Sequence, residues 1–349
     1  MIHGAKENKS SMGFTLVEIL IALAISSIVL LVLISVFSNQ QRVFSQQTDL
    51  TQSTAAARAA MQMMARDIRM AGYTSVPLGW ERLAGGSIVT YPPIISVKKG
   101  GQAIGSGQTI GGWEPYSTIG GGLSQSGDVI EIFGNFSRQY TTVQNPVNAG
   151  ATAFKVVSGT GGLFSGTGFS KPAWVIIGES TKSAINVEIH TMASAVADGT
   201  ITVNEAFVYN FGLATGGTAI VTVAPMFRRV YYAAPNSRGN PTLWVANYDA
   251  GATTTSTGAV VELARGVSRV EFSYDLAAKS PTDPEVEVLQ RNQPLTCDPC
   301  AIRGVTIRLW TISEKFRNNR PLLREFSHSV RARNMGFEIV NCEISGCST

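Results

Sequence analysis

The chain has 349 residues, a formal net charge of +4, 44% apolar residues and only 15% charged ones. That balance excludes a disordered chain, because the apolar surface is large enough to offset the entropy of ordering. It also lacks the strong basic excess that would by itself point to nucleic acid. The length allows more than one compact unit, and the 35 glycines exceed the usual ~7%, so many turns and short strands are expected.

Residues 14–37 form an apolar run of 24 residues. At ~1.5 Å rise per residue a helix of this length covers about 36 Å, enough to cross a bilayer core. Lys6 and Lys9, with Glu7 between them, precede the run, which places that end in the cytoplasm and the remainder across the membrane. The run is longer than the apolar region of an ordinary signal peptide, and no small-x-small cleavage site follows it. One carboxylate, Glu18, interrupts it near its start. An ionisable group there is costly, so it marks a function and calls for a partner.

No Gly or Pro occurs in the 58 residues from 14 to 71, which predicts one unbroken helix of about 87 Å. In its second part Leu50, Thr54, Ala57, Met61, Met64, Ile68 and Ala71 step alternately by four and three. That is one stripe of an amphipathic helix, read as core packing against a sheet rather than as a Met-rich binding face. Gly72 and then Pro77 stop the helix. Residues 73–127 read as a Gly-rich connection: ten of the 28 residues from 100 to 127 are Gly, but neither GxxxxGK[ST] nor a strand-to-helix GxGxxG is present.

From Asp128 the pattern becomes that of strands. "DVIEIFGNF" alternates with a period of two, and similar runs follow at 151–157, 173–178, 184–192, 200–207 and 218–227. Residues 128–225 are therefore read as an inserted β-rich subdomain. Residues 226–349 are read as a C-terminal sheet, with strands at 227–233, 243–248, on either side of Arg265-Gly266, at 301–312 and at 323–334. The four cysteines, Cys297, Cys300, Cys342 and Cys347, all lie in this last part. An even, clustered set outside the cytoplasm fits disulfides, with Cys297–Cys300 plus Cys342–Cys347 the favoured one of three connectivities; the CEISGC spacing matches a four-Cys zinc site poorly.

The stretch "GFTLVEILIALAI" (residues 13–25) carries a resemblance. Gly, then Phe, then an acid five residues after the Gly, then an unbroken apolar run, resembles the leader and mature N terminus of type IV pilins and type II secretion pseudopilins. The resemblance implies cleavage after Gly13 by a membrane-embedded prepilin peptidase, N-methylation of Phe14, and loss of a leader (residues 1–13) carrying one net positive charge. It implies that Glu18 of one subunit pairs with the Phe14 amine of a neighbour, which relieves two charges that are each costly in lipid. "MARDIRMAGY" and "ELARGVSRVEFSYD", the latter expected as a mid-sheet hairpin, are similar to PilW-type minor pilins, as is a last strand ending in Arg333-Asn334.

The expected fold is therefore α+β: a pilin-like lollipop. Its long helix has a transmembrane first half (14–37) and an amphipathic continuation (38–72) on an antiparallel sheet. The expected partners are the prepilin peptidase, other minor and major pilins, the inner-membrane assembly platform and the bilayer. The expected location is the inner membrane, N terminus cytoplasmic and head periplasmic, and then the pilus. Ser27 and Ser35 stand where many major pilins have helix breakers, which points to a minor pilin or pseudopilin; the bulky head fits low copy number near the tip, so the expected role is that of a minor pilin in assembly initiation at or near the tip. A J-like secretion pseudopilin and a tip adhesin or DNA receptor are the alternatives.

Other chemistry finds little support. His3, His190 and His328 are the three histidines, and no HExxH, GxSxG or EF-hand loop is present, so no enzyme, cofactor or metal is expected. Residues 301–340 hold eight Arg/Lys and three acids. Lys315, Arg317 and Arg320 fall in one loop there that could meet DNA phosphates or an anionic surface, although a solvated loop is the blander reading.

Overall fold

The computed structural model of the chain describes residues 15–72, 80–84, 87–91, 94–97, 128–165, 174–180, 185–195, 198–212, 220–248, 260–279, 287–293, 302–312 and 323–331. The chain divides into two units, Met1–Thr51 and Gln52–Thr349. A single helix, α1 (Leu16–Met70), belongs to both. From residue 16 to 44 its side chains are exposed all round, and none of its most apolar 18-residue window, mean hydropathy 3.1, is buried. A helix apolar on every face has no stable place in water and is long enough here to span a bilayer.

In the second unit α1 buries one stripe, Ala57, Ala60, Met61, Met64, Ala65 and Ile68. The spacing expected from sequence holds from Ala57 to Ala71, while Leu50 and Thr54 are only half-buried. Gly72 takes φ 69° and donates its N–H to the Phe133 carbonyl at 3.0 Å. The left-handed residue thus ends the helix by turning the chain onto a strand.

The strands in chain order are β1 (Trp80–Ala84), β2 (Ser87–Tyr91), β3 (Ile94–Val97), β4 (Val129–Gly134), β5 (Thr141–Thr142), β6 (Ala153–Lys155), β7 (Trp174–Ser180), β8 (Ile185–Ala195), β9 (Thr200–Val203), β10 (Ile220–Pro235), β11 (Pro241–Tyr248), β12 (Val260–Arg265), β13 (Val267–Lys279), β14 (Glu287–Gln293), β15 (Ile302–Ile312) and β16 (Leu323–Arg331). Twelve form one sheet network along the path β12-β11-β10-β7-β8-β1-β2, and four form a second sheet in the order β14-β13-β15-β16. All of these strand pairs are antiparallel except β1 with β8. The chain is thus a long apolar helix followed by antiparallel sheets, an α+β fold.

Strand β10 organises the network. Its first half pairs with β7 on one edge and β5 on the other; its second half pairs with β11 and β4. Two stretches expected as separate strands, 218–227 and 227–233, are this one strand, and the boundary expected between residues 225 and 226 falls inside it. Pro225 is tolerated because on the β5/β4 edge it sits between the two partners, past Val223 and before Phe227, where no strand lies opposite. Side chains from α1, β4, β10, β11, β13 and β15 share the largest core, including Met64, Ile68, Ile132, Tyr231, Val245, Phe272 and Ile307. A second core, with Phe154, Phe164, Val175, Ile177, Phe207, Phe211 and Val223, lies on the first half of β10.

Two further expectations change. The Gly-rich connection contains β1, β2 and β3; "SIVTY" and "IISV" are β-branched runs that the surrounding glycines and prolines disguised. "ELARGVSRVEFSYD" is not a hairpin. β12 pairs with β11 in the large network, whereas β13 pairs with β14 and β15 in the other sheet. Gly266, at φ 77°, is the corner between them. Its N–H donates to the Pro241 carbonyl at 2.8 Å, and its carbonyl accepts the Ile312 N–H at 2.6 Å, tying the two sheets together.

Candidate functional site: the N-terminal segment

Glu18 lies in the first turn of α1, and the structure gives it a local role. Its Oε2 accepts the Thr15 backbone N–H at 2.9 Å and the Thr15 hydroxyl at 3.0 Å; Thr15 Oγ1 in turn accepts the Glu18 N–H at 3.3 Å. This is a reciprocal capping box, with Thr15 as N-cap and Glu18 three residues on. It satisfies two of the backbone donors that a helix start leaves open. The signal was present in the sequence as Thr-x-x-Glu ahead of an apolar run, and reading Glu18 only as half of an intersubunit pair missed it. Glu18 Oε1 accepts no hydrogen bond among the described residues, so one carboxylate oxygen holds the helix start and the other is open. Gly13 and Phe14, the expected cleavage pair, lie outside the described residues, as do Lys315, Arg317, Arg320 and all four cysteines, Cys297, Cys300, Cys342 and Cys347.

Sequence reading also missed the ionic contacts of the second unit. Arg228 and Arg229 are consecutive on β10 and so face opposite sides. Arg228 pairs with Glu131 on β4, both buried. Burial pushes the Glu131 carboxyl above its ordinary range, and the Arg228 guanidinium pulls it only part of the way back. Arg229 pairs with Asp67 of α1 at 2.6 Å, and the Tyr231 hydroxyl donates to the same Asp67 oxygen. Burial and the neighbouring Asp67 charge push the Tyr231 phenol well up, so it stays a donor. Arg229 also covers the Phe136 ring at 4.3 Å. These contacts seat the second part of α1 on the sheet in one register.

His190 is fully buried, with Nε2 2.8 Å from Glu188 Oε2 and its ring against Phe207. Glu188 also accepts the backbone N–H groups of Val208 and Tyr209, which pins the 204–212 loop to β8. His328 is exposed on β16. Among the described residues no three His, Cys, Asp or Glu side chains come together as metal ligands.

The comparison with protein families bears on the N-terminal segment. Residues 9–34 match the family model described as the prokaryotic N-terminal methylation motif. That motif marks a type IV pilin- or pseudopilin-like protein. The leader implies processing by prepilin peptidase and assembly with other pilins, and with the apolar helix it implies membrane anchoring. The match to the pilin leader ends at residue 34, so the β-rich unit is outside it, and the likeness to PilW-type pilins loses one of its supports where the expected hairpin becomes a sheet-to-sheet corner. No curated protein and no solved structure matches the chain.

Proposed function

We propose that the chain is a minor pilin of a type IV pilus that takes part in starting the filament, with a place at or near the tip. In this reading it waits in the inner membrane with its N terminus cytoplasmic and is cut after Gly13. The apolar part of α1 then packs among the helices of other pilins, and the β-rich unit is the head of a lollipop. The observation that carries the reading is the half-used carboxylate of Glu18 at the start of a helix whose apolar window has no burial. Cleavage creates an ammonium on Phe14, and a neighbour's ammonium could meet the open Oε1 while Oε2 keeps its cap. In a low-dielectric bundle that pairing would stabilise both charges and fix the axial offset between subunits. A large head suits low copy number near a tip better than repetition along a shaft.

The test is intact mass of the membrane form with and without prepilin peptidase. Loss of residues 1–13 together with the gain of one methyl group is the expected result; an uncut chain would leave a plain signal-anchored β protein. Pseudopilins of type II secretion share the leader, and immunogold labelling separates the two: label at pilus tips supports the proposal, and label confined to the envelope in a strain with intact pili counts against it.

A further inference from the structure

A shallow groove lies on the second unit beside the second core, against which its Leu163 packs. It measures about 410 Å³ and is lined by Arg138, Gln139 and Tyr140 on one side and by Gly159, Thr160 and Leu163 on the other. Both walls are held from beneath. Asn135 is buried, and its Nδ2 donates to the Gln139 carbonyl at 2.7 Å while its Oδ1 accepts the Ser137 hydroxyl at 2.6 Å. Opposite, the Thr160 hydroxyl contacts the buried Thr141 hydroxyl at 2.8 Å and reaches the Val157 carbonyl at 2.6 Å. On this frame Arg138 adopts φ 58°, and it is the one non-glycine residue with positive φ among those described. Such a conformation in a side chain other than Gly, Asn or Asp persists only where the surroundings impose it, and it clusters at ligand sites. The Arg138 side chain is exposed with no partner among the described residues, and Tyr140 is 59% exposed. Gly159 and Gly162 leave the far wall open, with no atom within 4 Å of where a Cβ would stand.

We infer that this groove binds an acidic saccharide, a sugar ring bearing a carboxylate. The guanidinium fork matches a carboxylate bidentately, an exposed phenol ring offers the flat face on which a sugar ring lies, and the Gln139 amide supplies both donors and an acceptor for hydroxyls. Among the described residues no acid lines the groove to repel the carboxylate. A nucleic acid is the poorer fit, because binding a polyanion needs several cations along its track and Arg138 is the one cation among the described residues of the lining. The inference rests on the second unit alone and does not depend on the reading of the N-terminal segment.

The experiment is titration of the full chain in detergent with hyaluronan and alginate tetrasaccharides, with cellotetraose as the neutral control and a dT oligonucleotide as the polyanion. The uronate tetrasaccharides are expected to bind, cellotetraose at least tenfold more weakly, since one charge-assisted pair is worth about a factor of ten. R138G is expected to lose about tenfold in uronate affinity while its unfolding midpoint stays level or rises, because Gly adopts the same φ without strain. Y140A, which leaves the Arg138 turn intact, is expected to weaken the same binding. Failure of both uronate probes to bind, equal binding of cellotetraose, or unchanged affinity in both variants overturns the inference. Tighter, Arg138-dependent binding of the oligonucleotide overturns it in favour of a nucleic-acid site.

Discussion

At the scale of single residues, two carboxylates illustrate how an acid is kept where an apolar residue would be expected. Glu18 caps its own helix through Thr15, so the substitution Glu18→Gln is more informative than Glu18→Ala. The amide oxygen of Gln can still accept from Thr15, whereas Ala loses a cap worth ~1 kcal/mol. If charge pairing with a neighbour's amine drives assembly, both variants are cleaved normally, and both enter filaments about tenfold less well, the factor that ~1.4 kcal/mol represents. Near-normal incorporation of Glu18→Gln in sheared pili would show that the cap alone matters. Asp67 is the second case. It is buried against Arg229 and Tyr231, and Asp67→Asn leaves the guanidinium without its counter-charge. A loss of about 3 kcal/mol is expected for breaking one side of such a pair, read as a lower urea midpoint. Replacing all three members, Asp67→Leu with Arg229→Met and Tyr231→Phe, should recover most of it, because the desolvation cost goes with the charges and no buried hydroxyl is left without its acceptor.

At the scale of elements, the decisive feature is how few residues separate one sheet from another. β12 and β13 are joined by Gly266 alone, yet they enter different sheets. A Cβ at this position would stand 3.0 Å from the Ile312 carbonyl oxygen, at φ 77°. Gly266→Ala is therefore expected to cost roughly 1–2 kcal/mol through left-handed strain and crowding. It should also speed hydrogen exchange at the Ile312 amide, which donates to the Gly266 carbonyl. Unchanged exchange there would mean that the corner is not what holds β15 to the large network.

For the molecule as a whole, the buried Glu131 links folding to pH. Its carboxyl is raised above 4.5 in the folded state, chiefly by desolvation. A raised folded value means that the native state holds a proton the unfolded chain has released. Stability from this group is therefore full below the ordinary carboxylate range and is lost as pH rises through the higher folded value. Glu131→Gln lacks that titration while keeping a hydrogen-bonding partner for Arg228. The unfolding midpoint of Glu131→Gln minus that of the wild type should thus increase as pH rises upward from about 4.5 and then level off. A constant difference across that window would show that Arg228 compensates the burial in full.

Sequence by itself determined the elements that are periodic along the chain. The apolar run, the Gly- and Pro-free helix with its core stripe from Ala57 to Ala71, and most strands from Val129 onward follow from spacing of side chains, which is a local property. The Thr15–Glu18 cap was equally local and legible. Only the tertiary structure decided which sheet each strand joins, that β10 runs unbroken through Pro225, and which partners Arg228 and Arg229 take. Those choices close loops over long separations, 97 residues between Glu131 and Arg228 and 162 between Asp67 and Arg229. Over such distances no residue pattern names its partner: pairing depends on which faces the packed core brings together, and on whether two buried charges can be desolvated at once.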